Sequence, residues 1–292
     1  MKEVVVISGK GGTGKTSIVA GLAALGPEKI LADCDVDASD LHLVLDPQIQ
    51  ESHEFVSGEL ARIDQGLCTA CGLCRDHCRF DAISEDYQVL QEHCEGCALC
   101  YHVCPAGAIS MQPRLCGHWF KSKTRFGPLV HARLGIGEEN SGKLVTYVRQ
   151  EANKLGQSQG KELVLVDGSP GVGCPVIASL TNADLALLVA EPTLTAAGDL
   201  RRVLDLIVYF GIPGLAVVNK ADINPELSQE IEDFCREAGV DMAAKLPYDQ
   251  NFTLAQIQGK SVTELDPRGL GRIVRGIWEA IADRLYAPAD SK

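Results

Sequence analysis

Of the twelve cysteines in the chain, eight lie between residues 68 and 104, in the runs CTACGLCRDHC and CEGCALCYHVC. Both runs read CxxCxxCxxxC, with residues 79–93 between them, so the segment is an internal repeat of one ligand-bearing unit. Thiolates are soft, charged ligands for iron and zinc. A pair of zinc knuckles would take four sulfurs each; three cysteines two residues apart with a fourth just beyond also suit an iron–sulfur cluster. A second chemistry is written in SGKGGTGKTS, residues 8–17. Gly9, Gly14, Lys15 and Thr16 fit GxxxxGK[ST], a loop that cradles phosphates when a strand precedes it and a helix follows. Gly11, Gly12 and Gly14 let backbone N–H groups face the phosphates, and the helix N-terminus adds a favourable dipole. Lys15 would neutralise the β- and γ-phosphates of ATP and Thr16 would ligate Mg²⁺, with Thr13 and Ser17 completing the loop. Lys10 is one cation more than this chemistry needs.

The elements that must position these groups are legible. VVVIS at residues 4–8 is a short apolar, β-branched run, and a helical pattern follows from Lys15 to Leu25. Further apolar runs without polar alternation stand at 30–33, 163–167, 185–192, 215–220 and 242–248, the pattern of strands buried on both faces of a parallel sheet. Helical segments lie between them at 141–156, 194–211 and 224–239, the last with Asn224 placed to cap a Pro-started helix, and a final helix spans about 267–286. Alternating strands and helices predict an α/β fold, a doubly wound and mostly parallel sheet with ligands at the carboxyl ends of its strands. The cysteine repeat interrupts this pattern, so residues 1–57 and 114–292 read as the host domain and 58–113 as a small α+β insert.

The insert, over about residues 60–112, resembles two-cluster ferredoxins, including the triplet AIS at 82–84 and again at 108–110. In those proteins the fourth cysteine of each run serves the other cluster. The resemblance implies one [4Fe-4S] cluster on Cys68, Cys71, Cys74 and Cys104, and a second on Cys94, Cys97, Cys100 and Cys78. Arg79 follows Cys78 where Pro105 follows Cys104, a departure that removes no ligand.

KGGTGKT resembles the deviant Walker A loop of the MinD/ParA, Mrp and nitrogenase iron protein group, and the whole chain is similar to MinD-superfamily P-loop ATPases with an inserted ferredoxin domain, including the segment at 125–145. That resemblance implies that Lys10 crosses a dimer interface to the phosphates bound by the other subunit, offsetting developing charge. DCDVD, residues 33–37, matches switch I, where Asp33 would orient the attacking water and Asp35 would sit near the Mg²⁺ shell. LVLVDGSPGVG matches Walker B and switch II, so Asp167 would hold Mg²⁺ through water while Gly168 and Gly171 sense the γ-phosphate. Asn219 in VVNKAD and Pro247 in LPYD would flank the adenine. The activity implied is ATP hydrolysis by a homodimer, or a heterodimer with a similar chain, that gates electron transfer through two [4Fe-4S] clusters to an unidentified redox partner protein. An iron–sulfur assembly or carrier ATPase and a ParA-like positional ATPase are the alternatives.

Bulk properties narrow the field. The 292 residues carry a formal charge of −12, which argues against nonspecific binding to nucleic acid or an anionic membrane. No apolar run approaches the roughly 20 residues of a membrane span, and MKEVVVISG lacks a signal-peptide core; the expected location is the cytoplasm. One basic island exists, with Arg114, Lys121, Lys123, Arg125 and Arg133: either a docking surface for an acidic partner or a hairpin returning from the insert. Cys174, seven residues beyond Asp167, stands where the nitrogenase iron protein carries a bridging-cluster ligand, but neither Cys34 nor Cys116 sits in a segment matching that protein's second ligand, so a small buried thiol is expected there.

Overall fold

The computed structural model describes residues 1–135 and 141–287, so residues 136–140 of the segment at 125–145 lie outside the described residues. Contacts divide the chain into two units. The first is Met1–Ser52, Trp119–Arg133 and the chain from Ser141 onward; the second is His53–His118 with a short piece from Leu134.

The first unit is the α/β body. Its apolar runs become β1 (Lys2–Ser8), β2 (Lys29–Asp33), and, after the excursion described below, β6 (Leu163–Pro170), β7 (Leu185–Ala190), β8 (Gly214–Val218) and β9 (Asp241–Lys245). Three more strands, β3 (Gln48–Ile63), β4 (Ile109–Thr124) and β5 (Gly127–Leu134), complete a nine-stranded sheet in the order β3-β4-β5-β2-β6-β1-β7-β8-β9. From β5 to β9 neighbouring strands pair in parallel, which requires crossover helices. The main ones are Lys15–Ala23, Ser141–Ser158, Cys174–Leu180, Leu194–Tyr209, Pro225–Glu237 and Leu270–Tyr286. Pro225–Glu237 begins as its sequence dictates: Pro sits in the first turn and the Asn224 side chain accepts the Leu227 N–H at 3.0 Å. β1 lies between β6 and β7, and Val4, Val5, Val6 and Ile7 are fully buried.

Register fixes the functional edge. Pairing of β2 with β6 sets Asp33 opposite Asp167, and pairing of β2 with β5 sets Asp33 opposite His131. β4 and β5 are joined by the two residues Arg125 and Phe126, so they form a hairpin. Its turn is locked by Thr124 Oγ1, which accepts the Phe126 N–H at 3.1 Å and donates to the Gly127 carbonyl at 2.7 Å. Two of the five cations of the basic island are engaged in ion pairs within the fold. Lys121 lies 3.3 Å from Glu51 and 3.5 Å from Glu151, and Arg125 grips both carboxylate oxygens of Glu264.

The second unit has its own small core of Ala61, Ala82, Ile83 and Ile109 around the Cys74 and Cys94 side chains. Two short helices, Leu73–Asp76 and Leu99–Val103, carry the third cysteine of each run. Among the described residues no helix is long and apolar enough to cross a membrane.

His131 marks a pH limit of this fold. It is buried on β5 with Nε2 2.9 Å from Ser122 Oγ, and burial first, then His42 and Arg133, lowers its pKa to about 4. Because the folded value lies below the unfolded one, its contribution is complete above pH ~6.5 and is lost as pH falls toward 4. The expected loss between pH 7 and 4.5 is about 2 kcal/mol. Urea unfolding followed by tryptophan fluorescence should show it in the wild type and a flatter profile in His131→Gln.

Candidate functional site

β1 ends at Ser8 and the helix begins at Lys15, so residues 9–14 make the loop between a buried strand and a helix N-terminus. Gly14 takes φ +90°, and a Cβ there would stand 2.3 Å from Asn219 Nδ2, so the position excludes any other residue on two counts. Asn219 holds the loop from beneath, donating to the Thr13 carbonyl at 2.8 Å, while its own N–H bonds the Ala190 carbonyl at the end of β7. Gly11 and Gly12 face open space. Thr16 Oγ1 lies 3.5 Å from Lys15 Nζ, and Ser17 Oγ accepts from Gln256 at 2.9 Å.

Lys15 is buried and surrounded by acids. Its Nζ stands 2.6 Å from Asp167 Oδ1 and 3.3 Å from Asp35 Oδ2. Burial alone would lower its pKa, but Asp167 and Asp35 outweigh it and hold the ammonium charged. Asp33 accepts from Ser39 Oγ at 2.7 Å and from the Asp35 N–H at 3.1 Å. Burial first and Asp167 second push its pKa up to about 7, and burial likewise raises Asp35. Three carboxylates thus share one cation. Two polar atoms here remain unsatisfied: Asp167 Oδ2 and Thr13 Oγ1 are buried without a hydrogen-bond partner. Such orphans cost ~1–3 kcal/mol each, and a divalent cation with a phosphate chain would satisfy both. The donor set fits Mg²⁺, which binds carboxylate and hydroxyl oxygens beside substrate phosphates.

The segment likened to switch II begins within β6 and runs past its end. Gly168 lies so close to β1 that a Cβ would stand 2.7 Å from Ile7, and the Gly171 N–H bonds the Ser8 carbonyl at 2.9 Å. Asn219 and Pro247 belong to segments that are stitched together, by Ala221 N–H to the Leu246 carbonyl at 2.8 Å and Tyr248 N–H to Asp222 Oδ1 at 2.6 Å. The Asn219 amide itself is spent on Thr13 rather than projecting into that cleft.

Lys10 folds back onto its own chain. Nζ lies 2.9 Å from Glu191 Oε1, with Thr193 and Thr195 hydroxyls at 3.4 and 3.3 Å. Glu191 also takes Lys220 Nζ at 2.8 Å, which in turn bonds the Gly12 carbonyl at 3.2 Å. Glu191 escaped the motif analysis; the signal that finds it is its place just past the carboxyl end of β7, beside β1.

The cysteine repeat is obeyed by the backbone. Left-handed residues recur at equivalent positions of both runs: Ala70 and Gly96, Gly72 and Ala98, Asp81 and Gly107. One cavity is lined by Cys68, Cys71, Cys74 and Cys104, and a second by Cys78, Cys94, Cys97 and Cys100. The fourth cysteine of each run therefore crosses to the other set. Burial first, and charge on Cys68 and Cys104 among the causes that follow, raise the Cys74 thiol. Among the described residues no three His, Cys, Asp or Glu groups converge on a single-ion site. The sulfurs of each set line one cavity, the arrangement that a cluster with one sulfur per iron corner needs. Cys71 and Cys97 are exposed, so each cavity has a solvent-facing corner. Cys174 is exposed rather than buried, at the start of the helix Cys174–Leu180.

Residues 61–111 match the 4Fe-4S dicluster domain family. The chain is 36% identical over 225 residues to the uncharacterized protein MJ0578 of Methanocaldococcus jannaschii, covering 76% of this chain and 79% of that one. Among solved structures it is similar to the cell division ATPase MinD of Pyrococcus furiosus, with TM-score 0.58 and 19% identity over 97% of this chain and 98% of that one. The septum site-determining protein MinD complexed with Mg-ADP from Pyrococcus horikoshii OT3 aligns with TM-score 0.58 and 16% identity, over 96% and 95% of the two chains.

Two substitutions test these sites. Cys104→Ser and Cys78→Ser should each remove one cluster only, lowering anaerobically assayed iron from about eight to about four per chain, with the Cys104 variant losing the Cys68-containing set. Asp167→Asn should weaken Mg²⁺-dependent binding of a fluorescent ATP analogue at least about tenfold, while binding without Mg²⁺ changes little.

Proposed function

Because the chain belongs to the MinD/ParA-type P-loop ATPases that carry an inserted 4Fe-4S dicluster domain, we propose that ATP binding and hydrolysis by a dimer of this chain, or by its dimer with a similar ATPase, gate electron delivery from the clusters to a redox partner protein. The clusters, when bound, supply one-electron storage, and Mg²⁺ supplies charge neutralisation on the phosphates. What the protein contributes can be followed side chain by side chain.

Lys15 exchanges Asp167 and Asp35 for the β- and γ-phosphates, and Asp167 and Thr16 turn to the cation. Asp35, whose Oδ2 stands 3.3 Å from Lys15 Nζ, would support the cation's water shell. Asp33, held by Ser39 and pressed against Asp167, orients the attacking water and takes up its proton. Its raised affinity for a proton suits that task near neutral pH. Gly168 and Gly171, between β1 and the switch, report the γ-phosphate through the backbone. Lys10 leaves Glu191 and reaches the partner subunit's nucleotide, so that the two half-sites complete each other. The adenine sits in the cleft flanked by the Asn219 and Pro247 segments.

The observation that carries this reading is the register of β2. Its last residue, Asp33, pairs with Asp167 on one side and His131 on the other. β5, which holds His131, and β4 form the arm by which the chain returns from the cysteine-bearing segment. A change at the switch acids is therefore felt first by the strand that leads back from the clusters. The stable eight-cysteine framework, with both ligand sets complete within one chain, supports a resident transfer module over a cargo to be handed on.

The test is the rate at which dithionite-reduced protein delivers electrons to a one-electron acceptor protein, with and without MgATP, alongside sizing. MgATP should change the rate and shift the wild type to a dimer. Lys10→Ala should still bind ATP yet lose both effects. An ATP-independent rate in a protein that dimerises normally would remove the gating role.

A further inference from the structure

The two halves of the cysteine repeat share a backbone path but are held by different side chains. In the first run, the loop between Cys68 and Cys71 is fixed by neutral groups: Tyr87 OH donates to the Ala70 carbonyl at 2.9 Å, and the Cys68 N–H donates to the Asp64 carbonyl at 3.0 Å. In the second run the corresponding loop is gripped by a charge. Arg114 Nη1, from β4, donates to the carbonyl of the ligand residue Cys94 at 2.7 Å. The same loop is pinned two residues later, where Gly96 at φ +64° lies so close to β3 that a Cβ would stand 2.3 Å from the Glu59 carbonyl oxygen. The loop that presents Cys94 and Cys97 is thus clamped between two strands, with a half-buried guanidinium on its ligand backbone.

We infer that Arg114 is a positioning residue that orients the second ligand set, Cys78, Cys94, Cys97 and Cys100, and makes the cluster held there the more easily reduced of the two. This rests on the dicluster reading of the domain but not on ATP gating. Reduction adds one negative charge to a cluster already ringed by four thiolates, and a fixed cation or a hydrogen bond nearby favours the reduced form. No charged side chain lines the first cavity. Glu95 lines the second, but it is exposed and screened by water, whereas Arg114 is part-buried and hydrogen-bonded. Backbone contacts to sulfur occur in both sets, at Cys74 from Arg75 and at Cys100 from Tyr101, and the second set also takes the Ala82 N–H on Cys78 Sγ at 3.4 Å. Under limiting reductant, one electron supplied by dithionite should reside on the second cluster while the first stays oxidised.

The experiment is an EPR-monitored redox titration of the full chain without nucleotide, on wild type, Arg114→Lys, Arg114→Gln and Tyr87→Phe. Iron is assayed on each, and signals are assigned with Cys97→Ser. The wild type should show two separated midpoints with the second cluster higher. Arg114→Gln should lower that midpoint and leave the first in place. Arg114→Lys, which keeps the charge, should retain most of the separation, and Tyr87→Phe should leave the second cluster unchanged. Loss of half the iron in Arg114→Gln, confined to the second set, would also support the positioning role. Full iron with both midpoints unmoved in Arg114→Gln would overturn it, as would a lower midpoint for the second cluster in the wild type. Wild-type protein that holds no iron–sulfur cluster would instead overturn the dicluster reading itself.

Discussion

One buried ammonium holds the functional edge of the sheet together. Parallel pairing of β2 with β6 places Asp33 and Asp167 side by side, and Asp35 follows two residues on. Lys15, between Asp167 and Asp35, is the cation that makes this crowding tolerable. Breaking such a buried pair by removing one partner costs ~3–5 kcal/mol, so the loop before Lys15 must deliver it to one spot. Gly14 in its left-handed turn, braced by Asn219, does so. The same attraction that stabilises the nucleotide-free edge is the one that phosphate must replace, and each carboxylate released from Lys15 becomes available to a divalent cation. On the proposed reading, binding would be an exchange of counter-charges at the ends of β2 and β6.

The insert enters this frame by chain path. β5 is the immediate neighbour of β2 in the sheet, and the β4–β5 hairpin is fastened to the ATPase body by Lys121 and Arg125. The cysteine unit keeps its own order, because paired left-handed residues fold each CxxCxxC run without help from the host.

Most of the α/β core was legible because its strands are buried on both faces. VVVIS, LVLVD and LALLVA leave no polar alternation to misread, and each is a strand. The crossing of the fourth cysteines came from the resemblance to two-cluster ferredoxins, while the repeated spacing itself is matched by a repeated backbone. β3 and β4 were not legible. QIQESHEFVSGELARI is largely exposed, with Phe55 and Ala61 its buried side chains, so its pairing with β4 rather than any hydrophobic period makes it a strand. The basic island looked like a surface in sequence because its partners, Glu51, Glu151 and Glu264, are remote in the chain. Lys10 shows the same limit: a motif supplies its role across an interface, while the Glu191 contact that holds it within one chain depends on two strands meeting in space.

The central claim is that the nucleotide edge and the cysteine unit belong to one device. The most direct measurement is the EPR spectrum of the dithionite-reduced protein, recorded anaerobically without nucleotide, with MgADP and with a non-hydrolysable MgATP analogue. The account predicts a change in cluster line shape or midpoint specific to the triphosphate state, because only the γ-phosphate would engage the Gly168 and Gly171 backbone. Spectra and midpoints identical in all three states, in protein shown to bind each nucleotide, would contradict it.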